Sequence, residues 1–119
     1  MHGQIEWVLI MDIREGQSHA VQPLIDEMVT ATRSDEAGAL VYEYFLNSEK
    51  SRCTVLERYK DTDAAMIHLD NFGKKFADRF FSLFIPVSFT VFGPAGAPLR
   101  EALSGFGATF EDRIGGFAR

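Results

Sequence analysis

Apolar and polar residues alternate from Ile5 to Ile13. Ile5, Trp7, Leu9 and Met11 share one face, and Glu6, Val8, Ile10 and Asp12 share the other. A period of two predicts a β-strand, and apolar residues on both faces predict a strand covered on both sides. After a polar turn at 14–17 the spacing changes. Val21, Leu24, Ile25, Met28, Val29 and Thr32 mark the stripe of an amphipathic helix. Pro23 belongs in the first turn of a helix, so the helix proper starts near Ala20 or its entry is distorted. The segment 33–38 (RSDEAG) is polar and ends in glycine, which predicts a loop after the helix.

Residues 39–47 and 51–60 read as two strands joined by a short turn, an antiparallel hairpin. On the second strand Cys53, Val55, Glu57 and Tyr59 share a face, opposite Thr54, Leu56 and Arg58. Asp61 to Asp63 supplies cap-type residues before Ala64, Ala65, Met66 and Ile67. A short helix is expected there, with His68 in its last turn and punctuation near Asn71 and Gly73. A second helical stripe of Phe76, Phe80, Leu83 and Phe84 begins from Gly73, and Pro86 is expected to end it. Val87 to Phe92 alternates as a fourth strand, and residues 98–103 predict a small terminal helix.

The order β-α-β-β-α-β is the split βαβ or ferredoxin-like arrangement, an α+β fold with four antiparallel strands. The domain is drawn at residues 1–104, leaving 105–119 as a tail that contains glycine and phenylalanine. Helices on one face of the sheet leave the other bare, although the strands are apolar on both. A second copy packed sheet to sheet would cover it, which predicts a symmetric homodimer.

At 119 residues the chain has room for one domain with a modest core. A formal charge of -5 argues against a nucleic-acid partner, since a phosphate backbone asks for a basic face. The single cysteine, Cys53, rules out an intramolecular disulfide and reads as a small buried hydrophobe. No basic region precedes the first apolar run, as a secretory signal requires, and no run approaches the roughly 18 apolar residues of a membrane span. A cytoplasmic protein with no membrane partner is expected. There is no Gly-rich phosphate loop, no metal-spaced His or Cys pair and no nucleophile turn. His2 and His19, near a terminus and a loop, do not complete a metal site with His68.

Gly38, Tyr42-Glu43, Leu56-Glu57-Arg58-Tyr59, and Asp61 with Ala64, Ala65, His68 and Leu69 follow one another in a telling order. Over about residues 5–93 the chain resembles the antibiotic biosynthesis monooxygenase superfamily. The resemblance implies a dimeric α+β barrel. It also implies oxidation of quinol-type aromatics without metal or flavin, in which the deprotonated substrate itself reduces oxygen. The protein then supplies a base, a hydrogen bond to the oxyanion and a dry cavity. Haem-degrading relatives pair a strand-borne Asn with a pocket Trp and a haem-ligating His. Here the first strand has no Asn and carries the only Trp, so no haem, and no other cofactor, is expected.

On this reading His68 is the candidate base, a helix-borne imidazole that titrates near neutrality. Glu57 and Tyr42 complete the catalytic set. Trp7, Tyr59, Phe76 and Phe80 line a pocket for a small apolar aromatic molecule. Each also has a structural use. His68 can bridge helix and sheet, Glu57 can pair with a cation across the dimer interface instead of with His68, and Tyr42 and Tyr44 can simply pack. Trp7 and the phenylalanine stripe can be core. Phe106, Phe110 and Phe117 can lid a pocket, clasp a partner or remain disordered. Three functions are open: an oxygenase of a quinol, anthrone-like or other flat phenol; a non-enzymatic ligand-binding or stress-related dimer; or an isomerase or lyase of a small carbonyl compound.

Overall fold

A computed structural model describes residues 3–119. The elements run β1 (Ile5–Ile13), α1 (Ser18–Asp35), β2 (Ala39–Leu46), β3 (Arg52–Tyr59), α2 (Thr62–Lys75), α3 (Ala77–Leu83), β4 (Phe84–Phe92), α4 (Ala97–Ser104) and β5 (Thr109–Glu111). They form one five-stranded sheet in the order β2-β3-β1-β4-β5. The first four strands pair antiparallel, as the βαββαβ pattern predicts. The four-stranded, wholly antiparallel sheet needs correction: β5 adds a fifth strand, parallel to β4. Parallel neighbours need a crossover, and α4 supplies it. At three residues, β5 is too short to show an alternation in the sequence.

The inward faces of the strands and the helices hold the core. Ile5, Trp7, Met11, Cys53, Val55, Tyr59, Phe84 and Val91 are each at most 2% exposed. Burial pushes the Cys53 thiol up to about 11, so it stays a packed, neutral group. Their neighbours one position along, Val8, Ile10 and Leu56, lie on the outer face, with Val8 opposite Leu56 and Ile10 opposite Thr54, and are only part-buried. Phe45 and Ile85 extend that bare apolar face, half exposed at 51% and 45%. The Glu6–Arg58 and Asp12–Arg52 ion pairs, at 3.1 and 2.8 Å, border it.

Several local expectations change. Pro23 lies in the second turn of α1, where its ring removes the N–H that would have reached the His19 carbonyl; the exposed helix face tolerates that loss. The helix also runs on through Asp35, shortening the expected loop to 36–38. Gly73 does not end α2. It costs about 1 kcal/mol relative to alanine in a helix interior. The turn around it is held by the Lys74–Asp70 pair at 2.9 Å and by the Phe76 N–H on the Phe72 carbonyl. The break comes at Phe76, and His68 therefore sits in the middle of α2, not its last turn. Pro86 does not end a helix. It lies within β4 at a register shift opposite Ile10 and Met11, where the lost ladder hydrogen bond matters little.

Candidate active site

Strand alternation and helical periodicity place the polar cluster. Tyr42 and Tyr44 on β2 stand beside Glu57 and Val55 on β3, all on the helix-facing side. On α2 the buried residues Ala64, Ala65 and His68 form the inward stripe, so the imidazole lands over Glu57. Asp61 sets that phase by capping α2, accepting the Ala64 N–H at 2.8 Å. Glu36, directly after α1, folds back beneath the ring from the other side.

The result is a buried chain. His68 Nδ1 lies 2.9 Å from Glu36 Oε1, and Nε2 lies 3.2 Å from Glu57 Oε1. The Tyr59 hydroxyl donates to the same Glu57 oxygen at 2.6 Å, and Asn71 donates to Glu36 Oε2 at 3.2 Å. His68, Glu36 and Glu57 are all buried. Burial alone would lower the His68 pKa, but the hydrogen bonds and charges of Glu36 and Glu57 outweigh it and raise the value to about 9. Glu36 is shifted the other way. Burial opposes its ionisation, yet His68, Asn71 and Lys75 together hold it below the ordinary carboxylate range. Burial raises the hydroxyls of Tyr42, Tyr44 and Tyr59, aided by the Glu57 charge, so all three stay neutral. Tyr42 and Tyr44 share a hydrogen bond of 2.8 Å, and the Tyr42 ring meets His68 edge-on at 5.2 Å.

A cavity of about 190 Å³ opens beside this chain, between sheet and helices. Tyr42, Tyr44, Glu57 and His68 form its polar part; its other walls are apolar, chiefly Trp7, Phe72, Phe80, Phe81, Phe89, Leu103 and Phe106. Phe106 stacks on Phe81 with the rings 6.1 Å apart and 6° from parallel, and it remains half exposed at the rim.

The expected residues divide accordingly. His68, Glu57, Tyr42, Trp7 and Phe80 come together at the cavity. Tyr59 does not line it: the side chain is fully buried behind Glu57 and tilts against Trp7 at 5.0 Å. Phe76 turns away too, toward Thr32 and Glu36, with Arg79 over its ring. Glu57 faces the helices and pairs with His68, not with a cation on the sheet's outer face. Sequence reasoning missed Glu36, which sits in a polar run with no feature to set it apart from Asp35. It also left Phe72 and Phe81 without a role. Phe106 is among the residues that line the cavity.

No helix among the described residues is long and apolar enough to cross a membrane. A comparison with curated proteins gave no match. Among solved structures, MupZ from Pseudomonas fluorescens superposes with a TM-score of 0.86 at 24% identity, covering 98% of this chain and 95% of its own. Protein SO0527 from Shewanella oneidensis is 26% identical, with a TM-score of 0.61 over 76% of this chain and 88% of its own. Rv0793 from Mycobacterium tuberculosis is 23% identical, with a TM-score of 0.61 over 79% and 97%. The sequence model of the antibiotic biosynthesis monooxygenase family matches residues 8–73, more than half of the 119-residue chain. That span contains the hairpin, Glu36 and the whole of the buried acid–imidazole chain, and the protein belongs to the antibiotic biosynthesis monooxygenase family.

Proposed function

We propose that this protein is a cofactor-independent oxygenase of a neutral, flat, hydroxylated aromatic such as a quinol or an anthrone-like compound. The observation that carries the reading is an aromatic-walled cavity whose only ionisable groups, besides two neutral tyrosines, are Glu57 and His68. Flat apolar ligands suit such walls. No Lys or Arg lines the cavity, and Glu36 behind His68 leaves the cluster with an excess of negative charge, which disfavours anionic ligands. With an anthrone-like substrate a ring CH₂ becomes C=O. One atom of O₂ is retained, and the other leaves as water with the two hydrogens. The acid–base pair removes the first proton, and the apolar walls keep water from the carbanion that then meets oxygen.

A carboxylate and an imidazolium side by side also favour proton transfer within a small carbonyl compound, the isomerase or lyase reading. The non-enzymatic reading predicts no closed cavity between helices and sheet; the cavity beside His68 is open at its rim and holds about 190 Å³, so activity assays decide between the readings. Oxygen uptake by the purified protein with a panel of hydroquinones and anthrones separates these. Uptake matched to product, with no added metal or flavin, supports the oxygenase. Equal conversion under nitrogen transfers the assignment to proton transfer, and no conversion in either gas removes the oxygenase. The bare outer face of the sheet, with Val8, Ile10 and Leu56 at its centre, is proposed to pack against a second copy.

A further inference from the structure

We infer that Glu57, through Oε2, is the proton acceptor at the cavity, and that Glu36 is the positioning residue that fixes His68 as a doubly protonated imidazolium behind it. This rests on the reading of the cavity as the reaction site.

The assignment comes from counting donors and lone pairs. A neutral imidazole offers one N–H and one lone pair. His68 Nδ1 hydrogen-bonds Glu36 Oε1 at 2.9 Å, and Nε2 makes a close charge contact with Glu57 Oε1 at 3.2 Å. A lone pair aimed at either oxygen would be repelled, so both nitrogens carry hydrogen. An imidazolium, protonated at both nitrogens, has no lone pair with which to take a proton. His68 is thereby a positioning residue, and the base lies elsewhere.

Glu57 is the group left. Its Oε1 already takes the Tyr59 hydroxyl and faces His68, and no hydrogen bond of the side chain uses Oε2. Among the described residues no buried side-chain polar atom lacks a partner. Oε2 is therefore not sealed off, and the open space beside Glu57 is the cavity. Tyr59 and His68 clamp one oxygen of the carboxylate and leave the other for a ligand.

The surroundings let Glu36 control this state. From β2 His68 meets only the neutral Tyr42 and, further off, Tyr44; from β3 it meets Glu57 and Tyr59. From α2, Asn71 holds Glu36, while Lys75 acts on it from a distance and pairs with Asp35 at 3.5 Å. In the proton step a substrate O–H or C–H bond breaks, its proton bonds to Oε2, and the electron pair stays on the substrate. The cluster's net negative charge thus passes to the substrate, which the imidazolium then faces across a neutral Glu57.

Nitrogen-15 spectra of the histidine rings across pH decide the first half. Both His68 nitrogens should be protonated at pH 7.5, with a midpoint near 9. Glu36→Gln should lower that midpoint by more than one pH unit, and Glu36→Asp should restore most of it. A singly protonated ring at pH 7.5 in the wild type, or a midpoint unmoved by Glu36→Gln, overturns the assignment. For the second half, 2-naphthol should bind the wild type at least tenfold more tightly than 2-methoxynaphthalene, which cannot donate to Oε2; equal affinities overturn it. With any substrate that turns over, Glu57→Gln should lower kcat at least 100-fold with KM changed less than threefold, and wild-type kcat in that variant overturns the role. If no substrate turns over, the oxygenase and proton-transfer readings fail alone, because the spectra and the naphthol pair still decide the assignment.

Discussion

A β-carbon built on Gly38 would lie 2.6 Å from the Cβ of Ala64. The approach to β2 and the first turn of α2 therefore meet as closely as glycine permits, and that contact sets the height of α2, and of His68, above the sheet. Gly38→Ala should destabilise the fold by about 1–3 kcal/mol through overpacking, because the atom it strikes is a short, immobile methyl. Urea unfolding would show a lower midpoint with an unchanged slope.

The buried chain makes stability depend on pH in a definite direction. The folded His68 value of about 9 lies above the ordinary 6.5, so protonation favours the folded state. That contribution is full below about pH 6.5, declines above it, and is gone once the pH passes 9. Its ceiling is about 3 kcal/mol, since each tenfold gain in proton affinity on folding is worth roughly 1.4 kcal/mol. Glu36 runs the other way: its value is lowered, so its contribution is present above about pH 4.5 and fades as the pH falls through the folded value. Urea midpoints measured from pH 4 to 10 should form a plateau between 4.5 and 6.5. His68→Gln should flatten the alkaline limb while lowering the plateau, since two buried carboxylates lose their cation.

Phe106 stands at the rim of the cavity, stacked on Phe81. An aromatic pair is worth about 0.5–1.5 kcal/mol, at the low end for a half-exposed ring. Phe106→Ala should thus cost little stability but speed release of a bound flat aromatic by about three- to tenfold. Trp7, the chain's one tryptophan and part of the wall, supplies the fluorescence signal for stopped-flow displacement. An unchanged release rate would mean that ligands leave by another route.

The outer sheet face offers a test of the proposed dimer. Leu56 is a part-buried side chain opposite Val8 near the middle of that face, and it touches neither the cavity nor the acid–imidazole chain. Leu56→Lys should convert a dimer to a monomer in light scattering at micromolar concentration, with the monomer's circular dichroism preserved. A wild-type protein that already scatters as a monomer would end the proposal.

How much the sequence discloses depends on how local each constraint is. The strand Ile5–Ile13, the hairpin and α1 are legible because their patterns repeat over eight residues or more. Gly73 and Pro86 mislead because their ordinary meaning as breakers yields to tertiary context: a well-anchored helix turn at one, a bulge at the other. The meeting of Glu57 with His68 is foreseeable from strand parity and helix phase. Glu36 is not, since its role depends on how the end of α1 folds beneath α2, and neighbouring residues carry no trace of that. The proposed proton acceptor is the sharpest case. A free imidazole near neutrality is a natural base, and only the second carboxylate, Glu36, moves the proposal from His68 to Glu57.

The cavity draws on chain both within and beyond the family-matched span. The buried acid–imidazole chain lies between Glu36 and Asn71, inside that span together with the wall residues Leu9, Leu69 and Phe72, while Ala77, Phe80, Phe81, Pro86, Phe89, Leu103 and Phe106 lie downstream of it. Most of the mould is thereby separable from the polar floor. Substitutions at Phe80, Phe81, Phe89 and Phe106 would recast much of the wall around a ligand while leaving Glu36, Glu57 and His68 in place, so one polar floor can receive many shapes of guest.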